Sequence, residues 1–249
     1  MSEPAQRLLS LESELPTPRG ATPVGGRGLS AIGAQTRPTF LARDELTPVL
    51  GAFEALLGTS GLRRGSTVVV ESGGSPGASS VALGLLAAAT SAGRWCAVVG
   101  LPSVGLAAAS ELGLALDRLV VVPSASTRPA KVLAPLLEGC EIVLVAGWAY
   151  PNLGETRRLA AHARKRRSIL LPLRVGSFGL LGRWPEPPDV SLRVVGSRPV
   201  GIGHGDGRLH SRFVALEATR RRVSPRTVTG GVWLPSSNGS IVAGESASP

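Results

Sequence analysis

The stretch Val68-Val69-Val70-Glu71-Ser72-Gly73-Gly74-Ser75-Pro76-Gly77-Ala78-Ser79-Ser80 decides the fold. Three β-branched apolar residues run into a glycine-rich turn, and an apolar helix, Val81 to Thr90, follows. Strand, glycine loop and helix in that order are the setting of the phosphate-binding pattern G-x-x-x-x-G-K-[ST]. In that pattern backbone N–H groups cradle phosphate oxygens while the lysine reaches the outer phosphates. Gly77 and Ser79 hold the second-glycine and hydroxyl positions, but Ser72 replaces the first glycine and Ala78 replaces the lysine. The backbone of Ser72, Gly73, Gly74, Gly77, Ala78, Ser79 and Ser80 can still face an anion, yet no ammonium is there to neutralise it. Two roles stay open: a tight glycine turn, or a retained weak site for ATP or phosphate.

Outward from the loop the pattern alternates. Asp44 to Leu57 has helical spacing of Leu46, Val49, Leu50, Phe53 and Leu57. Strands are expected at Thr67–Glu71, Trp95–Gly100, Leu119–Val122, Ile142–Ala146 and Ser168–Leu173. Helices are expected near Ser103–Leu112, Arg128–Leu137 and Asn152–Arg166 between them, and short strands near Ser191–Val195 and Arg212–Ala218 close the sheet. Continuous apolar strands separated by helices predict an α/β fold, a mostly parallel central sheet flanked by helices on both faces. Residues 1–38, rich in Pro, Gly, Ser and Thr, read as a flexible N-terminal arm, 39–228 as the core domain and 229–249 as a flexible C-terminal tail.

The chain has 249 residues, 43% of them hydrophobic, with four Trp, four Phe and one Tyr, so its core must be aliphatic. Cys96 and Cys140 match no metal or redox spacing and read as buried, inert thiols in a reducing cytoplasm. His162, His204 and His210 form no ligand set, and no metal is expected. Met1-Ser2-Glu3-Pro4 opens no signal peptide, and the run Val81 to Ala92 is too short to span a bilayer, so the expected location is cytoplasmic with no membrane.

Net charge is +10, unevenly placed. Residues 1–150 hold 11 basic and 11 acidic residues, whereas 151–228 hold 16 basic and five acidic. GC-rich coding accounts for the preference for Arg over Lys, but not for its confinement to one stretch. A nucleic acid or an acidic partner would account for the confinement.

The order of segments resembles the RecA ATPase core. The likeness runs through Gly61-Leu62-x-x-Gly65, the strand and glycine loop, Leu83 to Ala89, Trp95 to Val99, and Ala108 to Leu112. It continues into the turn Gly113-Leu114-Ala115-Leu116-Asp117-Arg118-Leu119. It implies a RecA-like P-loop NTPase fold over about 44–222. Three departures coincide with its working parts. Ala78 stands for the phosphate lysine. Glu141-Ile142-Val143-Leu144-Val145 ends in Ala146-Gly147 where a metal-holding Asp is expected, and Trp95–Gly100 runs into Leu101-Pro102 where a catalytic carboxylate is expected. Phosphoryl transfer depends on positioning and charge neutralisation, so the chain is expected to be a pseudo-ATPase with no catalytic residues.

A RecA-like frame without that machinery resembles the ImuA type of accessory protein. The resemblance implies a non-catalytic adaptor in DNA repair, in SOS-type, damage-induced translesion synthesis. Its partners would be a Y-family-like polymerase accessory protein and an error-prone replicative polymerase, with single-stranded DNA nearby. The alternatives are an ATP-binding RecA-type recombinase and a SulA-like cell-division inhibitor. The expected DNA or partner surface is a stripe of Arg157, Arg158, Arg164 and Lys165 with Arg166 and Arg167, and a second cluster of Arg220, Arg221 and Arg222. The RecA likeness places two DNA-binding loops at 148–154 and 176–184; these carry Trp148, Tyr150, Phe178, Arg183 and Trp184. Aromatics beside Arg could stack on bases or dock a protein.

Overall fold

The computed structural model describes residues 45–124, 128–146, 151–175, 184, 186–202, 206–221 and 227–244. The chain divides into two units, Met1–Ala42 and Arg43–Pro249, and every described residue belongs to the second. The expected N-terminal arm therefore lies outside the described residues.

The apolar run before the glycine loop forms β3 (Val68–Ser72), and the helix after it is α2 (Ala78–Ser91). Around β3 lie β4 (Cys96–Val99), β5 (Leu119–Val122), β6 (Ile142–Ala146), β7 (Ile169–Arg174) and β8 (Val190–Ile202). With β9 (Gly207–Arg220), β10 (Thr227–Trp233) and β11 (Val242–Gly244) they make a nine-stranded sheet of order β11-β10-β9-β8-β3-β7-β6-β4-β5. From β8 to β5 all neighbours are parallel; β8 to β11 pair antiparallel. The molecule is an α/β protein with a large, mostly parallel sheet. The β3–β7 ladder breaks between Thr67–Leu170 and Val70–Leu173, next to Pro172, which has no N–H to donate.

Side-chain alternation sorts the strands into two cores. Val68, Val70, Cys96, Val98, Ile142, Leu144, Ile169 and Leu171 face one cluster with Val81, Leu85 and Leu86 of α2. Val69, Ala97, Val99, Val143, Val145 and Leu170 face the other. That second face is covered by Leu133 and Leu137 of α4 (Pro129–Gly139) and by Leu159 and Ala163 of α5 (Leu153–Arg166). Both faces being covered is why these strands read as unbroken apolar runs. Two short helices complete the first face, α1 (Glu54–Leu57) and α3 (Leu106–Glu111).

The structure differs from the sequence expectation in three places. Leu46–Pro48 is a strand, β1, paired antiparallel with β2 (Gly61–Arg63), and only Gly51–Leu57 is helical. Pro48 disfavours helical backbone at Thr47, which breaks the expected helix. The two short closing strands are a long hairpin of 13 and 14 residues whose outer parts, including Val200 and Ile202, are exposed and so show no apolar alternation. The expected loose tail from 229 holds β10 and β11. Glycine there makes room rather than slack: a Cβ on Gly231 would lie 2.1 Å from a Phe213 ring carbon. Phe213 packs edge-on against Trp233, ring centroids 5.4 Å apart.

Among the described residues, no helix is long and apolar enough to cross a membrane.

Candidate functional site

The glycine loop leaves β3 at a point where the connections between strands reverse the direction in which they step across the sheet. The chain passes from β3 to β4, beyond β7 and β6, while β8 pairs on the opposite side. Such switch points open a crevice at the carboxyl ends of the strands, where ligands of α/β sheets bind. Here the crevice is furnished differently. The Gly73 N–H donates to the Val194 carbonyl at 2.8 Å, and the Gly74 N–H to Ser72 Oγ at 3.3 Å. Ser72 Oγ in turn donates to the Ser75 carbonyl at 2.7 Å. Two N–H groups that a phosphate would need thus have partners within the protein. Gly73 must be glycine, since a Cβ would lie 2.6 Å from the Val194 oxygen. Gly77 caps α2 with no side-chain hydrogen bond, and Ser79 and Ser80 lie half-buried in its first turn.

The RecA likeness expects charged groups at Ala78, Leu101 and Ala146, and the structure buries all three. Ala78, Leu101 and Ala146 are 2%, 7% and 1% exposed and belong to one apolar cluster. A charge at any of them would face hydrocarbon. The charged groups near the loop lie elsewhere: Glu71 stands between Arg174 of β7 and Arg193 of β8 in register, with Arg174 at 3.6 Å. Sequence reading passed over both arginines, because only the sheet order sets them beside the loop.

The α5 stripe is where it was expected. Asn152 Oδ1 accepts from the Glu155 N–H at 3.0 Å, and Arg164, Lys165 and Arg166 occupy the last turn, favourable to the helix dipole. Arg157, Arg158, Arg164, Lys165, Arg166 and Arg167 are all exposed, with Arg157 3.6 Å from Glu186. The two described residues of the second cluster differ in burial. Arg220 is half-buried and donates to the Leu57 carbonyl at 3.0 Å, beside an apolar cavity of about 330 Å³ that Leu46, Leu62 and Val190 line, while Arg221 is exposed. Trp184 is also corrected: it is 5% exposed and packs in the core under α4 and α5, because its indole completes that apolar layer. Trp148, Tyr150, Phe178, Arg183 and Arg222 lie outside the described residues.

A cleft that the sequence did not reveal lies at the opposite, amino-terminal edge of the sheet. About 370 Å³ in volume, it is lined by Arg64, Trp95, Arg94, Glu138, Glu141, Arg166 and Arg167 among others. Glu141, its side chain 10% exposed, accepts from Arg64 at 2.7 and 3.1 Å and from the Thr47 hydroxyl at 2.7 Å, and Arg94 stands 3.7 Å away. Arg166 reaches Glu138 at 2.9 Å. Trp95 is 44% exposed, with the Arg118 guanidinium 5.4 Å from its ring centroid.

Cys96 and Cys140 are free and buried. Burial pushes the Cys96 thiol up to about 12, and the Cys140 thiol is raised by the same cause. Among the described residues, no group of three or more His, Cys, Asp or Glu could hold a metal ion.

The chain is 38% identical over 96 residues to an uncharacterized protein, Rv3395c, of Mycobacterium tuberculosis. That alignment takes in 38% of this chain and 47% of the relative, so the chain spans about half the length of the relative it matches. The family model of the MT3502 N-terminal domain matches residues 55–185, which include the glycine loop, the strands β3 to β7 and the Arg-bearing helix α5. With more than half of its length matched, the chain belongs to the MT3502 N-terminal domain family.

Proposed function

We propose that this chain is a RecA-like body without phosphoryl-transfer chemistry, working as a non-catalytic adaptor in DNA repair of the translesion type. The observation that carries it is the shared apolar cluster of Ala78, Leu101 and Ala146 at the carboxyl edge of the sheet. Lysine, metal carboxylate and base are replaced together, each by a residue that packs as hydrocarbon. The loop remains as a joint between β3 and α2, with Gly73 held against β8. The exposed Arg stripe on α5 supports a role beside DNA, since guanidinium forks suit phosphate oxygens. Partners of the ImuA type, a Y-family-like accessory protein and an error-prone polymerase, belong to this reading by resemblance, as does a place in the cytoplasm.

The test is phosphate release from Mg-ATP by the purified chain, with and without single-stranded DNA. The expected result is none above buffer. Release that Ser79→Ala abolishes would establish the recombinase instead. Capture of a division GTPase in place of polymerase accessory proteins would favour the cell-division inhibitor.

A further inference from the structure

The amino-terminal edge of the sheet gathers charged and aromatic side chains in one cleft. Four arginines (Arg64, Arg94, Arg166 and Arg167) line one cleft against two glutamates, Glu138 and Glu141. Arg64 is held by both oxygens of Glu141, so it anchors the floor. Arg94 stands 3.7 Å from the same carboxylate with its side chain 55% exposed, and Arg166, paired to Glu138, keeps 47% exposure. Arg167 is exposed and holds a left-handed backbone, φ 61°, where helix ends usually place glycine. An exposed indole, Trp95, opens β4 at this rim, and Arg118 covers its ring without hiding it. Arginine forks beside an accessible aromatic ring are what a phosphate next to a base requires.

We propose that this cleft binds single-stranded nucleic acid, one base stacking on Trp95 and the adjoining phosphate held by Arg94, Arg166 and Arg167. A volume of about 370 Å³ falls among clefts that take a small-molecule-sized unit, roughly 300–1,000 Å³. A base inside a duplex is out of an indole's reach, which selects for single strands. The carboxyl end of α5 delivers Arg166 and Arg167 to the cleft, and Arg164, Lys165, Arg158 and Arg157 continue along the same helix as a track for the backbone.

The site deepens the DNA-associated part of the proposed function, and the two fail separately. ATP turnover would remove the adaptor reading and leave the cleft untouched; loss of the cleft would leave the inert loop standing.

The experiment is fluorescence anisotropy of a labelled oligo-dT with the full chain, its single variants, and competitors. The expected result is salt-sensitive binding that Trp95→Ala weakens roughly tenfold, the effect of losing one stacked base. Arg94→Ser should weaken it similarly and make the salt slope shallower by about 0.7, one phosphate contact on a single strand. Arg167→Gly suits the left-handed backbone, so it should lower binding while the fold persists, and it stands in if Trp95→Ala does not fold. Duplex of equal length should compete poorly. Binding unchanged in Arg94→Ser and Arg167→Gly would overturn the proposal. So would equal competition by AMP, which would make the ligand a free nucleotide, or by polyglutamate, which would make it an acidic protein.

Discussion

The two edges of one sheet have opposite characters. At the carboxyl edge, where α/β sheets usually do their chemistry, Ala78, Leu101 and Ala146 merge into the apolar core and Gly73 is pinned to β8. At the amino edge, usually only structural, Arg64, Arg94, Arg166 and Arg167 crowd a cleft with Glu138, Glu141 and an exposed Trp95. The same parallel strands supply both ends, so their order does not set the character; the residues placed at each end do. A fold marks where a site can be, and the side chains there decide whether one is.

The contrast breaks most visibly at Ala78. Ala78→Lys would thrust an ammonium into a 2% exposed position of the apolar cluster, costing on the order of 3 kcal/mol or more in urea unfolding and restoring no ATP turnover. Tolerance of that lysine together with turnover would reveal a dormant engine. At the other edge Glu141→Gln should cost about 2–3 kcal/mol. It leaves Arg64 without its paired carboxylate and the half-exposed Arg94 without its counter-charge, and thermal melting would register the loss. An unchanged melting point would mean that solvent already satisfies those arginines. Gly231→Ala would press a methyl into Phe213 and should destabilise by about 1–3 kcal/mol, visible in the same melts. A neutral result would mean that the Phe213 ring yields to the methyl.

Arg167→Gly should go the other way, stabilising by about 1 kcal/mol as left-handed strain is relieved, while the cleft binds less. Stability and binding moving in opposite directions would mark Arg167 as retained for the cleft rather than for the fold. The thiols supply the smallest effect at neutral pH. An unfolded Cys96 ionises near 9.0 and the folded one near 12, so this contribution to stability is complete below pH 9 and is lost as pH rises toward 12. Iodoacetamide should therefore label Cys96 in urea and leave it unlabelled in the native chain; native labelling would contradict its burial.

The parallel core was legible because strands covered on both faces must be apolar at every position, and Ile142–Ala146 is a strand over the span its sequence suggests. The hairpin's outer half was not, since Arg198, Pro199, Val200 and Ile202 are exposed and carry no alternation. The stretch from 229 read as a flexible tail, but its glycines at 230, 231 and 244 make clearance for Leu56, Phe213 and Trp233. The strand–glycine loop–helix order around Ser72–Ala78 was legible locally, because a β-branched run, clustered glycines and an apolar helix follow one another in sequence. The amino-edge cleft was not, because Arg64, Trp95, Glu141 and Arg167 come from four separate segments, and only strand order brings the starts of β4, β6 and β7 together.

Equilibrium titration of the purified chain with Mg-ATP, followed by calorimetry and by phosphate release in the same samples, tests the proposed absence of ATP chemistry at the carboxyl edge most directly. The account predicts neither saturable heat that depends on magnesium nor released phosphate, with or without oligo-dT present. A magnesium-dependent isotherm accompanied by turnover, both lost in Ser79→Ala, would contradict it.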